Sequence, residues 1–129
     1  MAYRLPTTIS TVISNVTGSG GESVISTTGF IIPVADSGAI LVFWRCAFQA
    51  VAAILTAAIN IRRGSAVTSA LLYGTGSVTS STATTWRQSG AFIDTPGAVG
   101  PVQYSLTINN ITAGGSVTLT EQDIFALAL

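Results

Sequence analysis

Residues 102–108 read Val-Gln-Tyr-Ser-Leu-Thr-Ile, and this stretch decides the fold class. Apolar and polar residues alternate strictly along it, which is the period of a β-strand with one face against a core. Residues 116–120 repeat the pattern, with Val117 and Leu119 between polar neighbours. Both stretches predict half-buried strands, each with one face in contact with water.

Turn signals divide much of the chain into short segments. Glycine-bearing breaks recur at intervals typical of short strands joined by turns, for example at Gly29, Gly38 and Gly64. The sequence Asp-Thr-Pro-Gly at residues 94–97 is a predicted turn. Serine and threonine blur the pattern over residues 76–90 and leave the strand count open there. We therefore expect an all-β, antiparallel β-sandwich of about eight to ten strands.

The most apolar part of the chain, residues 39–62, has three interpretations. Residues 39–48 are mostly apolar on both faces, and residues 51–62 have one wholly apolar face, which favours two strands. A helix over Gln49–Ala58 is an alternative, because alanine favours helices. A membrane-spanning helix over residues 39–61 is the other, but Arg45 inside the span would cost about 2.5–3.5 kcal/mol.

The start of the chain differs from the rest. Residues 1–22 are rich in threonine, serine and glycine and have no consistent apolar face, which predicts an extended N-terminal arm. Residues 23–129 are the predicted head domain. The first residues do not show the basic region and apolar stretch of a secretory signal, so none is expected. The lone Cys46 is predicted to be a buried thiol.

Charge is scarce and balanced. Five arginines offset five carboxylates, lysine and histidine are absent, and charged residues make up 8% of the chain. Long-range attraction to nucleic acid or to an acidic membrane is therefore not expected. The doublet Arg62-Arg63 is too short for a phosphate track, and Trp86-Arg87 is interpreted as a packed aromatic residue beside a rim arginine. A net charge near zero favours association instead.

The composition also limits chemistry. Without histidine or lysine, the chain has few groups that exchange protons near neutral pH, so no catalytic residue is predicted and the protein is not expected to be an enzyme. No cofactor or small-molecule substrate is expected. Glu121 and Asp123 are interpreted as a solvated loop before the last strand rather than as ligands, because calcium takes 6–8 oxygens, and no metal site is predicted.

The end of the sequence predicts a contact between subunits. Residues 124–129 are apolar at every position, and a sandwich strand buries only one face in its own core. Residues 39–48 are likewise mostly apolar on both faces. The predicted oligomer interface consists of Leu41, Phe43, Phe125, Leu127 and Leu129.

Four stretches, taken in order, carry a family resemblance. Residues 39–45, 59–64 and 101–108 and the apolar strand that ends at Leu129 resemble the compact jelly-roll heads of the tumour necrosis factor and complement globular-head type, as found in small bacteriophage virion proteins. The resemblance implies a jelly roll, a tight homotrimer and burial of the last strand between protomers. The segment 76–90 departs from this pattern.

The resemblance and the composition together suggest a role in a virion. A genome-packaging coat protein usually needs a basic arm, but this arm contains only Arg4. We therefore expect a capsid decoration (cement) protein, assembled in the host cytoplasm and partnered by the major capsid protein or a neighbouring virion protein. The alternative is a fibre-tip or spike head that binds a host-surface carbohydrate or protein, which exposed rings at Tyr73 or Trp86 would favour.

Overall fold

The computed structural model of the chain describes the backbone of residues 3–4, 7–8 and 12–14 and the residues 21–33, 38–52, 54–97, 100–110 and 116–129. This part of the chain contains ten strands and no helix. The strands are β1 (Tyr3–Arg4), β2 (Thr7–Thr8), β3 (Val12–Ser14), β4 (Gly21–Thr27), β5 (Ile40–Ala50), β6 (Leu55–Arg63), β7 (Ala70–Ser80), β8 (Trp86–Asp94), β9 (Tyr104–Asn110) and β10 (Ser116–Ala128).

The strands form two antiparallel sheets. Sheet A has the order β1-β10-β5-β8, with β3 also paired to β10, and sheet B has the order β2-β4-β9-β6-β7. The chain crosses from one sheet to the other between β4 and β5, between β5 and β6, and at each step from β7 to β10. This is the double-sheet arrangement of a jelly roll. The predicted fold class is confirmed.

The core lies between the inner faces of the two sheets. Alternation directs Ile40, Val42 and Trp44 of β5 inward, and Tyr104 and Leu106 of β9 meet them from sheet B. Burial of each leucine-sized side chain stabilises the fold by about 1.5–3 kcal/mol. Other fully buried large side chains are Ile25, Ile31, Phe48, Leu55, Ile59, Ile61 and Ile124.

Residues 40–50 and 55–63 form the two strands that the pattern favoured, and the described residues of 49–58 form no helix. Two expectations about the elements are corrected. β6 begins at Leu55 rather than at residue 51, because the chain turns from sheet A to sheet B there. Glu121 and Asp123 lie inside β10 and not in a loop. A register shift between Leu119 and Glu121 separates two regular halves of that strand. None of the described segments forms a helix with the length and hydropathy needed to cross a membrane.

The expectation of a water-facing side on β9 is also wrong. Ser105 and Thr107 are fully buried although they point away from the core. Strand β9 lies between β4 and β6, and Glu22 of β4 reaches across it to Arg62 of β6. Arg62 Nε donates to Glu22 Oε2 over 2.7 Å, and Asn60 Nδ2 donates to Glu22 Oε1 over 2.9 Å. This bridge crosses the polar face of β9.

A second buried ion pair joins the two sheets. Asp94, at the end of β8 in sheet A, accepts hydrogen bonds from Arg63 Nε at 2.8 Å and from the Tyr104 hydroxyl at 2.7 Å, both in sheet B. Burial alone would raise the pKa of Asp94, but these hydrogen bonds and the charge of Arg63 lower it below its usual value. Burial and the hydrogen bond to Asp94 raise the pKa of Tyr104.

The predicted arm, residues 1–22, overlaps the described strands only in part. β1 and β3 pair with β10, β2 pairs with β4, and β4 begins at Gly21. The other residues of the predicted arm lie outside the described part of the chain.

Candidate functional site

The outer face of sheet A brings together four of the five residues predicted for the oligomer interface. The strand register places Leu127 of β10 beside Leu41 of β5, and Phe125 beside Phe43. Alternation explains the placement, because the inner positions of the same strands fill the core. Leu129 lies just beyond β10, where its amide donates to the carbonyl oxygen of Ala39 over 3.0 Å, and it is 38% exposed.

Strand β8 extends this apolar surface with residues that the sequence analysis missed. Ile93 lies in register with Leu41, and Ala91 lies in register with Phe43. Ile93 is 61% exposed and Phe43 is 41% exposed. Alternation from Ile93 back to Arg87 could have revealed this face, but the predicted turn at Asp94 and the polar run before it concealed the strand. We call Leu41, Phe43, Ala91, Ile93, Phe125 and Leu127 the apolar face of sheet A.

Two ion pairs border the apolar face along the strands. Arg45 of β5 pairs with Asp123 of β10 in the row after Phe43 and Phe125. Arg87 of β8 approaches Glu121 of β10, with 3.6 Å between Nε and Oε2. The acidic members are both on β10, whereas the basic members are on β5 and β8. The outer face of sheet A therefore has an apolar half and a charged half. In the charged half the acidic residues lie on β10 and the basic residues on β5 and β8.

A shallow depression lies on the apolar face. It has a volume of about 460 Å³ and lies between Phe43, Arg45 and Phe125 on one side and Ser89 and Ala91 on the other. Its lining is mostly apolar, and a side chain from another molecule would fit within it.

The described carboxylates are all engaged with arginines. The pairs are Glu22 with Arg62, Asp94 with Arg63, Glu121 with Arg87 and Asp123 with Arg45. Each negative charge is therefore balanced by a neighbouring guanidinium. In the described ranges, no three acidic, cysteine or histidine side chains cluster in a way that could hold a metal ion.

The remaining reactive or aromatic candidates have structural positions. Cys46 is buried in the core, and burial, with a smaller contribution from the charge of Glu121, raises the pKa of its thiol to about 12. The ring of Trp86 packs against Phe48 with 5.3 Å between centroids, and the Arg87 side chain is exposed beside it. Tyr73 lies on β7, at the edge of sheet B, and is 39% exposed.

Comparison with known proteins gives a likeness of fold. No protein-family model matches the sequence, and neither does any curated protein. A chain in the structure of infectious bursal disease virus, Gx strain, superposes with a TM-score of 0.63 at 14% identity, and the match covers 98% of this chain and 32% of the viral one. This chain thus spans about a third of that viral chain.

A second viral structure is less similar. The match to the crystal structure of the infectious bursal disease virus VP2 subviral particle covers 98% of this chain and 41% of the viral chain, at 13% identity and a TM-score of 0.34. That score carries no argument. The first superposition shows that the jelly roll of this chain has a counterpart in a viral chain.

Proposed function

We propose that the protein is a non-enzymatic structural component of a virion that assembles with further copies of itself. The observation that carries the proposal is the apolar face of sheet A, which lies on a jelly roll like that of a viral chain. Side chains such as Ile93 and Phe43 gain about 1.5–3 kcal/mol each when they leave water completely. A second copy is a suitable partner for this face, because the two ion pairs that border it are balanced and therefore do not repel the same surface on another copy.

The assembly is a homotrimer in this proposal, with Leu41, Phe43, Phe125, Leu127 and Leu129 at the contact. The resemblance to trimeric jelly-roll heads supports that number of copies. The scarcity of charge supports association of copies in general, because 8% charged residues and zero net charge give little repulsion between them. The role is decoration of a bacteriophage head, with the major capsid protein or a neighbouring virion protein as the partner.

Light scattering on the purified protein tests the assembly. We expect the mass of three chains, each 13.2 kDa, at micromolar concentration. Leu127→Asp places a charge in the contact of every protomer, at a cost of several kcal/mol, and should prevent the trimer from forming. Leu71→Asp is the matched control, because Leu71 is 55% exposed on β7 of the other sheet.

Each result of the light-scattering experiment contradicts a different part of the proposal. A monomeric mass for the unaltered protein contradicts self-assembly, and equal masses for the unaltered chain and Leu127→Asp contradict the choice of face. A dimer retains the face but contradicts the trimer. Far-ultraviolet circular dichroism of Leu127→Asp, compared with Leu71→Asp, distinguishes lost assembly from lost folding.

A fibre-tip or spike head is the second candidate function, favoured by the exposed ring of Tyr73. Immunogold electron microscopy of virions distinguishes the two roles. A regular array over the head supports decoration, whereas a few labels at a fibre end support receptor binding.

A further inference from the structure

One side of the sandwich is open between two edge strands. In the described residues, β8 pairs only with β5 at the edge of sheet A, and β7 pairs only with β6 at the edge of sheet B. A cleft of about 220 Å³ lies between these edges. It is lined by Trp44, Tyr73, Gln88, Ser89, Gly90, Ala91 and Phe92.

Two aromatic rings form the walls of this cleft. The ring centroids of Trp44 and Tyr73 are 5.6 Å apart, and the ring planes are inclined by 36°. Trp44 is nearly buried, whereas Tyr73 is 39% exposed and presents its ring at the mouth. Trp44 therefore forms the buried inner wall of the cleft, and Tyr73 forms its accessible outer wall.

Gly90 makes room for the inner wall. It lies in register with Trp44, and a Cβ atom at this position would be 2.8 Å from the indole Nε1. A larger residue would therefore displace the indole.

The lining matches an uncharged, hydroxylated ring. None of the described residues around the cleft carries a charge, so it offers no ion pair to a ligand. Gln88 supplies amide donors and an acceptor, and Tyr73 supplies a hydroxyl group. The faces of the aromatic rings have a negative electrostatic potential, which attracts the weakly positive C–H groups of a saturated ring. The volume is below the ~300–1,000 Å³ of sites for drug-sized ligands, which limits the ligand to one ring.

We propose that the cleft between β7 and β8 binds a single neutral pyranose ring, which stacks on Tyr73 and receives hydrogen bonds from the Gln88 amide. The site borders the apolar face of sheet A, because Ala91 lines the cleft and also belongs to that face. Binding of a glycoside and the mass of the assembly are measured separately, so each proposal can fail without the other.

Fluorescence of Trp44 tests the proposal directly. The chain has two tryptophans, so Trp86→Phe leaves Trp44 as the single reporter. This variant is titrated with the methyl glycosides of glucose, galactose, mannose and N-acetylglucosamine. We expect a saturable change with at least one of them, at millimolar concentration. Adding Tyr73→Ala should weaken that binding by about tenfold, the loss expected for one aromatic contact.

Two further variants serve as a control and as a second test of the site. Leu71→Ala alters an exposed residue of the same strand outside the cleft, and it should leave the affinity unchanged. Gln88→Ala removes an exposed polar group without touching the core, so it tests the site even if Tyr73→Ala fails to fold. Absence of a saturable change with all four glycosides, or equal affinity in Gln88→Ala and the parent, overturns the proposal. Failure here leaves the mass measured for the assembly unaffected.

Discussion

Asp94 is the residue whose charge contributes most to joining the two sheets. It is 7% exposed and is bound by Arg63 and by the Tyr104 hydroxyl. Because the folded state lowers the pKa of Asp94, the pair stabilises the protein above the usual carboxyl pKa, and this contribution is lost as the pH falls through the lowered value. Arg63 stays charged throughout this range.

Replacement of Asp94 by asparagine should therefore reduce stability in a pH-dependent way. We expect Asp94→Asn to lower the free energy of unfolding by about 2 kcal/mol at pH 7, the range for a hydrogen bond to a charged group. The difference from the unaltered chain should shrink as the pH falls below about 4. Urea denaturation at several pH values measures this.

Asp123→Asn provides the comparison for that measurement. Its partner Arg45 is 55% exposed and water competes for the pair, so the loss should be clearly smaller than that for Asp94→Asn. Equal losses for the two variants at pH 7 would show that the Asp94 pair contributes no more than a surface ion pair.

At the level of single residues, alternation predicted part of the candidate site. Leu41 and Phe43 were identified because both faces of their strand are apolar, and the structure places them beside Phe125 and Leu127. The burial of Ser105 and Thr107 could not be predicted in this way. It depends on Glu22 reaching Arg62 across a strand that lies far from both in sequence.

Among the elements, β8 shows how one small residue adapts an edge strand to its neighbour. Gly90→Ala would place a methyl group 2.8 Å from the buried Trp44 ring, which has little space to move. We expect a loss of about 1–3 kcal/mol, typical of overpacking. Thermal denaturation measures it.

The same substitution at another glycine controls for backbone effects. Gly100 has no neighbouring atom within 4 Å of the position of an added Cβ, so Gly100→Ala should be nearly neutral, within about 0.5 kcal/mol. If both alanine variants are equally stable, Trp44 does not constrain position 90.

Element boundaries were predicted less well than element type. The strand class of residues 102–108 and 116–120 followed from a short, regular period. In contrast, the segment 76–90 holds the end of β7 and the start of β8, which serine and threonine concealed. The continuity of β10 through Glu121 and Asp123 depends on pairing with β5, and that pairing joins residues 78 positions apart.

For the whole molecule, the division into arm and head is a prediction that deletion can test. Among the residues whose burial the structure describes, the hydrophobic core begins at Ile25. We expect a chain that lacks residues 1–20 to fold, because β4 begins at Gly21, but to be less stable since β10 and β4 lose their pairing with β1, β2 and β3. Circular dichroism and thermal denaturation check this.

The deletion also bears on assembly. We expect the arm to contribute to the contact with a neighbouring virion protein as well, so the shortened chain should bind its capsid or neighbouring protomer less tightly in a sedimentation assay. An unfolded product would show instead that the arm is an integral part of the sandwich. Unaltered binding would exclude the arm from the contact.

The position of β10 in sheet A has a consequence for biosynthesis. This strand lies between β5 and the pair β1 and β3, yet it is translated after all of them. Its pairings, such as Tyr3 with Leu127, close very long loops, and such topologies fold in about milliseconds to seconds. While β10 is still inside the ribosome, the apolar strand β5 lacks its main neighbour and is open to aggregation. We therefore expect chaperones that shield nascent chains to increase the soluble yield of this protein.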